Sequence, residues 1–261
     1  MTVGASDTRN MLPAWSQYHA ANAWAVNFGS DSSFAGAKTP QGNQDANSVG
    51  DFYYAPPTGF LALCTANLPE VDVIPSEHFN TVLYTGNGST QSVTGVGFQP
   101  DLVWGKSRSD TSWHALWDIV RGTTKRIFSN DTNAEQTTAN SLTSFDSDGF
   151  TLGDHANNNA SGQSNVAWNW KAGGSAVSNT NGTITSSVSA NPSAGFSIAT
   201  WSGNGTAGAT VGHGLSKAPD LVIVKNKADP ANWVVMTSQL SNTGYLNGTQ
   251  ALTVLRSYFS P

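Results

Sequence analysis

Two aromatic–asparagine pairs occupy matching places in this chain: Tyr84 with Asn87, and Trp201 with Asn204, each astride a Gly-Asn-Gly turn. A sugar ring presents apolar C–H faces that stack on Tyr or Trp, and an amide beside the ring can bond its hydroxyls. An aromatic floor with a few polar groups is the general form of such a site. The plainer role for the same residues is to anchor a core, with the Gly-Asn-Gly triplet only turning the chain. Trp168-Asn-Trp170 sets two indoles on one face of a strand, which makes either a stacking platform or a packing ladder. Tyr84, Asn87, Trp201, Asn204, Trp168 and Trp170 form the candidate glycan-binding set.

Other chemistry finds less support. A glycosidase needs two carboxylates a short distance apart, one of them with a raised pKa. Asp118, Asp146, Asp148 and Glu135 can be nominated, but nothing in the sequence pairs them. There is no G-x-S-x-G elbow, no H-E-x-x-H, no phosphate loop and no cysteine–histidine constellation. Asp146-Ser-Asp148-Gly149 has the alternate acids of half a calcium loop, but the further ligands do not follow and a plain turn is the better reading. Asp154-His155 would need ligands from elsewhere, and His19, His78, His114, His155 and His213 show no ligand spacing. No catalytic residue, metal or cofactor is expected.

Composition sets the frame for these residues. Charged residues make up 11% of the 261, against about 25% in an average soluble protein. Gly, Asn, Ser and Thr take their place. Nine Trp and eleven Phe are too many for a disordered chain, so the expectation is ordered β structure with many turns. A net charge of −5 and a single adjacent basic pair, Lys125-Arg126, argue against nucleic-acid binding. No apolar run approaches the about 18 residues of a membrane helix, and the N-terminus lacks a charged-then-apolar leader. Cys64, the single cysteine, lies in the apolar run Phe60–Cys64 and reads as a small buried residue.

The elements that must position the aromatics repeat along the chain. Phe79–Gly88 lines up with Phe196–Gly205, Val93–Phe98 with Val211–Leu215, and Pro100–Lys106 with Pro219–Lys225; Trp113 then matches Trp233, and Ser144-Phe145 matches Ser257-Tyr258. Each copy reads as β: a strand into a tight turn, then a buried strand after proline. Trp113, Leu116, Trp117 and Val120 fall at helical spacing, yet Arg121-Gly122 would stop a helix early, so strand is preferred. The division expected is 1–70, a proline-bounded linker 71–76, a first repeat module 77–174, and 175–261 as linker plus a partial second module. The second copy stops before strands equivalent to Phe150–Leu152 and Val166–Trp170. Neighbouring chains are expected to complete it, or the chain is part of a longer protein.

The first 70 residues carry a resemblance. Met11–Tyr18 and Ala23–Gly29 alternate aromatic and polar residues, and Pro56-Pro57-Thr58-Gly59 makes a stiff turn before Phe60–Cys64. Residues 9–70 resemble the closing strands of SPRY-type, concanavalin-like β-sandwiches. Asn27-Phe28-Gly29, Phe34-Ala-Gly36 and Tyr53–Phe60 look like modules of tail-fibre and other virion proteins of marine bacteriophages. Such modules bind or build and seldom catalyse.

The fold expected is therefore all-β, a β-sandwich-like segment followed by repeated β-rich modules. The resemblance implies a phage virion structural protein, of a tail fibre or another exposed part. Its partners would be other virion proteins or copies of itself, with a host-surface glycan at the aromatic–Asn sites and no nucleic acid or membrane insertion. The virion would be reached by assembly and lysis. The rivals are a carbohydrate-binding module of an enzyme and a polysaccharide depolymerase.

Overall fold

The computed structural model describes residues 26–68, 73–238 and 240–249. The chain divides into two compact units, Met1–Val71 and Asp72–Pro261. The strand proposed at 11–18 lies outside the described residues, as do the first three residues of 23–29 and the pair Ser257-Tyr258; residues 26–29 are coil and bend rather than strand.

In the first unit, side chains rather than a strand ladder hold the backbone. The Asn27 Oδ1 accepts from the N–H groups of Gly29 and Ser30, and the Asp31 carboxylate accepts from those of Ser33 and Ala35. Asp45 gathers the N–H groups of Asn47, Val49 and Ala62 with the Asn67 amide. Short amide and carboxylate side chains compete with sheet pairing in this way, and extended pairing among these residues is the single bridge Asn43–Phe52. The run at 60–64 departs from the expectation of burial. Ala62 is buried, but Phe60, Leu63 and Cys64 are exposed. Leu63 N–H reaches the Phe28 carbonyl within a turn-built segment, so the run never becomes a covered strand.

The second unit is almost wholly β. Its strands are β1 (Phe79–Thr85), β2 (Gln91–Thr94), β3 (Leu102–Ser107), β4 (Ala115–Asp118), β5 (Lys125–Phe128), β6 (Gln136–Thr137), β7 (Leu142–Asp146) and β8 (Gly149–Leu152). A one-turn helix α1 (Ala156–Asn159) leads to β9 (Ser164–Trp170), and β10 (Val177–Asn179), β11 (Ser186–Asn191), β12 (Phe196–Trp201), β13 (Leu221–Val224), β14 (Val234–Thr237) and β15 (Leu240–Tyr245) follow. No helix among the described residues is long and apolar enough to cross a membrane.

The first repeat copy is a sandwich. A six-stranded antiparallel sheet runs β1-β9-β3-β4-β5-β6, and a three-stranded sheet runs β2-β8-β7. Strand alternation sends Val82, Val103, Ala115, Trp117, Phe128 and Ala167 inward from the large sheet, against Val93, Leu142, Phe150 and Leu152 from the small one. The doubtful stretch at 113–120 holds strand at its centre: β4 (Ala115–Asp118) pairs with β3 on one side and β5 on the other, and all four of its residues are buried. A strand covered on both faces carries consecutive apolar residues, here Ala115-Leu116-Trp117, instead of alternating ones, which is why its pattern imitated a helix.

The second copy repeats the first in its hydrogen bonds. Leu102 pairs with Asp118 as Leu221 does with Thr237. Ile119 donates to the Asp101 carbonyl, and Ser238 to that of Asp220, both at 2.9 Å. The N–H of His114 bonds the Asn130 Oδ1, as that of Trp233 bonds the Asn247 Oδ1. The Asn80 side chain donates to the Val96 carbonyl, and Ser197 to that of His213. One alignment shifts: Trp233 stands in the place of His114, one residue from the match to Trp113. Its strands nonetheless sit in separate three-stranded sheets, β10-β11-β12 and β13-β14-β15.

Candidate recognition surface

Because β1, β9, β3, β4 and β5 are neighbours, the outward side chains of the large sheet fall into rows. One row is Thr81, Trp168, Trp104, Leu116 and Ile127; the next is Phe79, Trp170, Leu102 and Asp118. Trp168 meets Trp104 edge-on at 5.9 Å, and Trp170 lies 4.9 Å from Phe79 and stacks on Trp104 at 6.3 Å. The second copy sits on these rows. Phe196 stacks on Trp170 at 6.1 Å. Trp233 is buried on Leu116 and Ile127, its Nε1–H donating to the Phe128 and Asp131 carbonyls at 2.7 and 3.2 Å. The structure thus brings Trp168 and Trp170 together in a cross-strand aromatic ladder that carries part of the second copy. Trp104 is the member that sequence reasoning passed over, although it stands two residues into a strand already identified. Its Nε1–H is buried and has no partner among the described residues.

The two aromatic–Asn pairs have unlike surroundings. Tyr84 packs its ring against Phe150 at 6.2 Å and donates its hydroxyl to the Asn158 carbonyl at 2.7 Å; burial pushes its phenol pKa up. Its ring is half-buried and packs on the core of the first copy. Asn87 accepts from the Ser89 N–H at 2.8 Å and exchanges bonds with the Asn159 side chain. Trp201, by contrast, is 39% exposed, and Asn204 forms the same turn by accepting from Thr206 N–H at 3.0 Å. Trp201 and Asn204 are the open pair.

The nominated acids are occupied. Asp118 and Glu135 both hold Arg121. Asp146 accepts from the Ser144 and Thr151 hydroxyls. Asp148 accepts from the Gly95 and Gly97 N–H groups, which hold its carboxyl below the usual range; it organises the hairpin as a turn residue. No group of His, Cys, Asp or Glu among the described residues is arranged to hold a metal ion. A cleft of about 450 Å³ lined by Gln99, Asp101, Lys171, Gly173 and Asn191 contains none of the anticipated aromatics.

Burial lowers the pKa of His155, with the nearby Arg126 guanidinium adding to the effect, and burial likewise lowers that of His114. Both are therefore neutral near pH 7. Their folded-state values lie below the ordinary 6.5, so the unfolded chain binds more protons below that pH. Their contribution is full above 6.5 and is lost as pH falls towards the folded values. The melting temperature should drop between about pH 7 and about pH 5, a window in which only histidines ordinarily titrate. The double variant His114→Gln, His155→Gln should flatten that drop; an unchanged slope would assign it to other groups.

No curated protein and no solved structure matches the chain. The chain belongs to the family described as a domain of unknown function, DUF7483, whose match covers residues 74–259 and so takes in both repeat copies.

Proposed function

We propose that this member of the DUF7483 family is a structural component of a bacteriophage particle, in a tail fibre or another exposed part, working by assembly and recognition. One observation carries the reading most. The second copy leaves Leu221 56%, Ile223 41% and Trp201 39% exposed on two edge strands of one domain. Free proteins keep such edges short, charged or covered, and a chain with 11% charged residues has little repulsion to hold copies apart. The virion assignment draws on the resemblance of residues 9–70 to tail-fibre modules. Light scattering on the purified chain should give a discrete oligomer. A species that stays monomeric at every concentration, without partners in purified particles, would overturn the reading.

A second reading, recognition of a host-surface glycan, is favoured by the open pair Trp201 and Asn204. On a glycan array, Trp201→Ala should weaken binding by about 0.5–1.5 kcal/mol, taking aromatic pairs as the analogue, with little change in melting temperature. Equal binding by the variant, or no binding by the parent chain, would remove the glycan reading. Release of reducing ends from capsular polysaccharide would favour a depolymerase over both.

A further inference from the structure

We propose that the free edge of β13, with the turn Gly203–Gly205, is a docking site for an extended segment of another polypeptide chain, of the type that residues 158–170 represent within the first copy. This rests on the assembly reading and names its surface and its partner. In the first copy that segment makes four attachments. The Asn158 carbonyl takes the Tyr84 hydroxyl. The Asn159 side chain bonds Asn87 and the Ser89 carbonyl. Ala160 lies so close to Gly86 that a methyl there would overlap its carbonyl oxygen. Then β9 enters the sheet between β1 and β3, pairing with both along their lengths.

The receiving positions recur in the second copy as Trp201, Gly203, Asn204 and Gly205, and all four are exposed. Trp201 replaces Tyr84 and is exposed. Nothing lies within 4 Å of a methyl built on Gly203 or Gly205. Since β13 pairs with β14 in the register that joins β3 to β4, its other edge is the one that β9 covers in the first copy. Among the described residues no strand pairs with that edge, and β12 is likewise an edge strand. Leu221 and Ile223 are exposed there, whereas their counterparts Leu102 and Trp104 lie beside Trp170 and Trp168.

The repeat therefore specifies the occupant. It is a strand antiparallel to β13, bonded through its backbone, with two large apolar or aromatic side chains two residues apart on one face. Its other face carries small and amide side chains, as Asn165, Ala167 and Asn169 do in β9. Strand addition of this kind draws affinity from main-chain bonds and specificity from alternate side chains.

The test is fluorescence anisotropy of a labelled peptide of residues 157–171 against the whole chain. Saturable one-to-one binding is expected. It should weaken at least about tenfold, the equivalent of about 1.4 kcal/mol, for the chain variant Leu221→Lys, Ile223→Lys, whose substitutions are at exposed positions. The same loss is expected for a peptide in which serine replaces both tryptophans, an arm that does not depend on the variant folding. Absent binding, or equal binding to variant and parent, would overturn the proposal, because the peptide would then be sticking elsewhere or exchanging with β9. Displacement of the peptide by oligosaccharide would hand Trp201 to the glycan reading and also overturn it. An oligomer in light scattering that ignores the peptide would sink this surface but keep the assembly role. A monomer that binds the peptide would do the reverse.

Discussion

Replacing Trp233 by alanine is expected to cost about 3–5 kcal/mol, the range for truncating a buried aromatic. The residue is 4% exposed and joins the two repeat copies. Its ring fills the space over Leu116 and Ile127, and its Nε1–H satisfies the Phe128 and Asp131 carbonyls. Truncation removes the apolar contact, opens a cavity and strands two carbonyls at once. Trp233→Phe keeps most of the contact and loses only the donor, so it should cost nearer about 1 kcal/mol. Urea unfolding followed by tryptophan fluorescence measures both. A loss for alanine below about 1 kcal/mol would fall under the cavity range and would mean that the second copy is not anchored through this indole.

The second large effect is expected at Gly149, which opens β8 opposite Thr94. Its φ is +151°, and a methyl on its Cα would overlap the Val93 carbonyl oxygen. That oxygen belongs to backbone already fixed by the β2–β8 ladder and cannot swing aside as a flexible side chain would. Gly149→Ala should therefore cost about 3 kcal/mol or more, combining an unfavourable backbone region with overpacking. The neighbouring Phe150 and Val93 are core residues, so the damage should reach both sheets and appear as a lower midpoint of a single transition. A variant that melts with the parent would show that the strands can separate enough to admit the methyl, and the tight β2–β8 approach would be wrong.

Much of the fold was legible before any coordinates. The repeat was visible because both copies need the same features at the same places: an aromatic before a Gly-Asn-Gly turn, and a proline before a buried strand. The equivalence extends to Asn80 and Ser197, unlike residues that donate to the same carbonyl in each copy. Strand was rightly preferred for 115–118. Cys64 was misread because an apolar run signals burial only when an element covers it, and the turns around Asp45 leave this run on the surface. The Trp113–Trp233 match slipped by one because two tryptophans look alike in a sequence while their rings go to different neighbours, Phe128 for one and Leu116 with Ile127 for the other.

For the candidate site the division is sharper. The sequence alone determined which residue types stand beside each turn, that Trp168 and Trp170 share a face, and that the chain is β, since these follow from local period and turn chemistry. It could not separate Tyr84 from Trp201, which have the same local surroundings. What separates them is a partner far along the chain: Asn158 takes the Tyr84 hydroxyl, while Trp201 remains open. The tertiary structure likewise decided that Trp104 joins the ladder and that Phe196 and Trp233 rest on it. Lateral neighbours in a sheet come from strand order, and an order such as β1-β9-β3 is set by which long-range pairing buries the most surface, a quantity that no short window of residues contains.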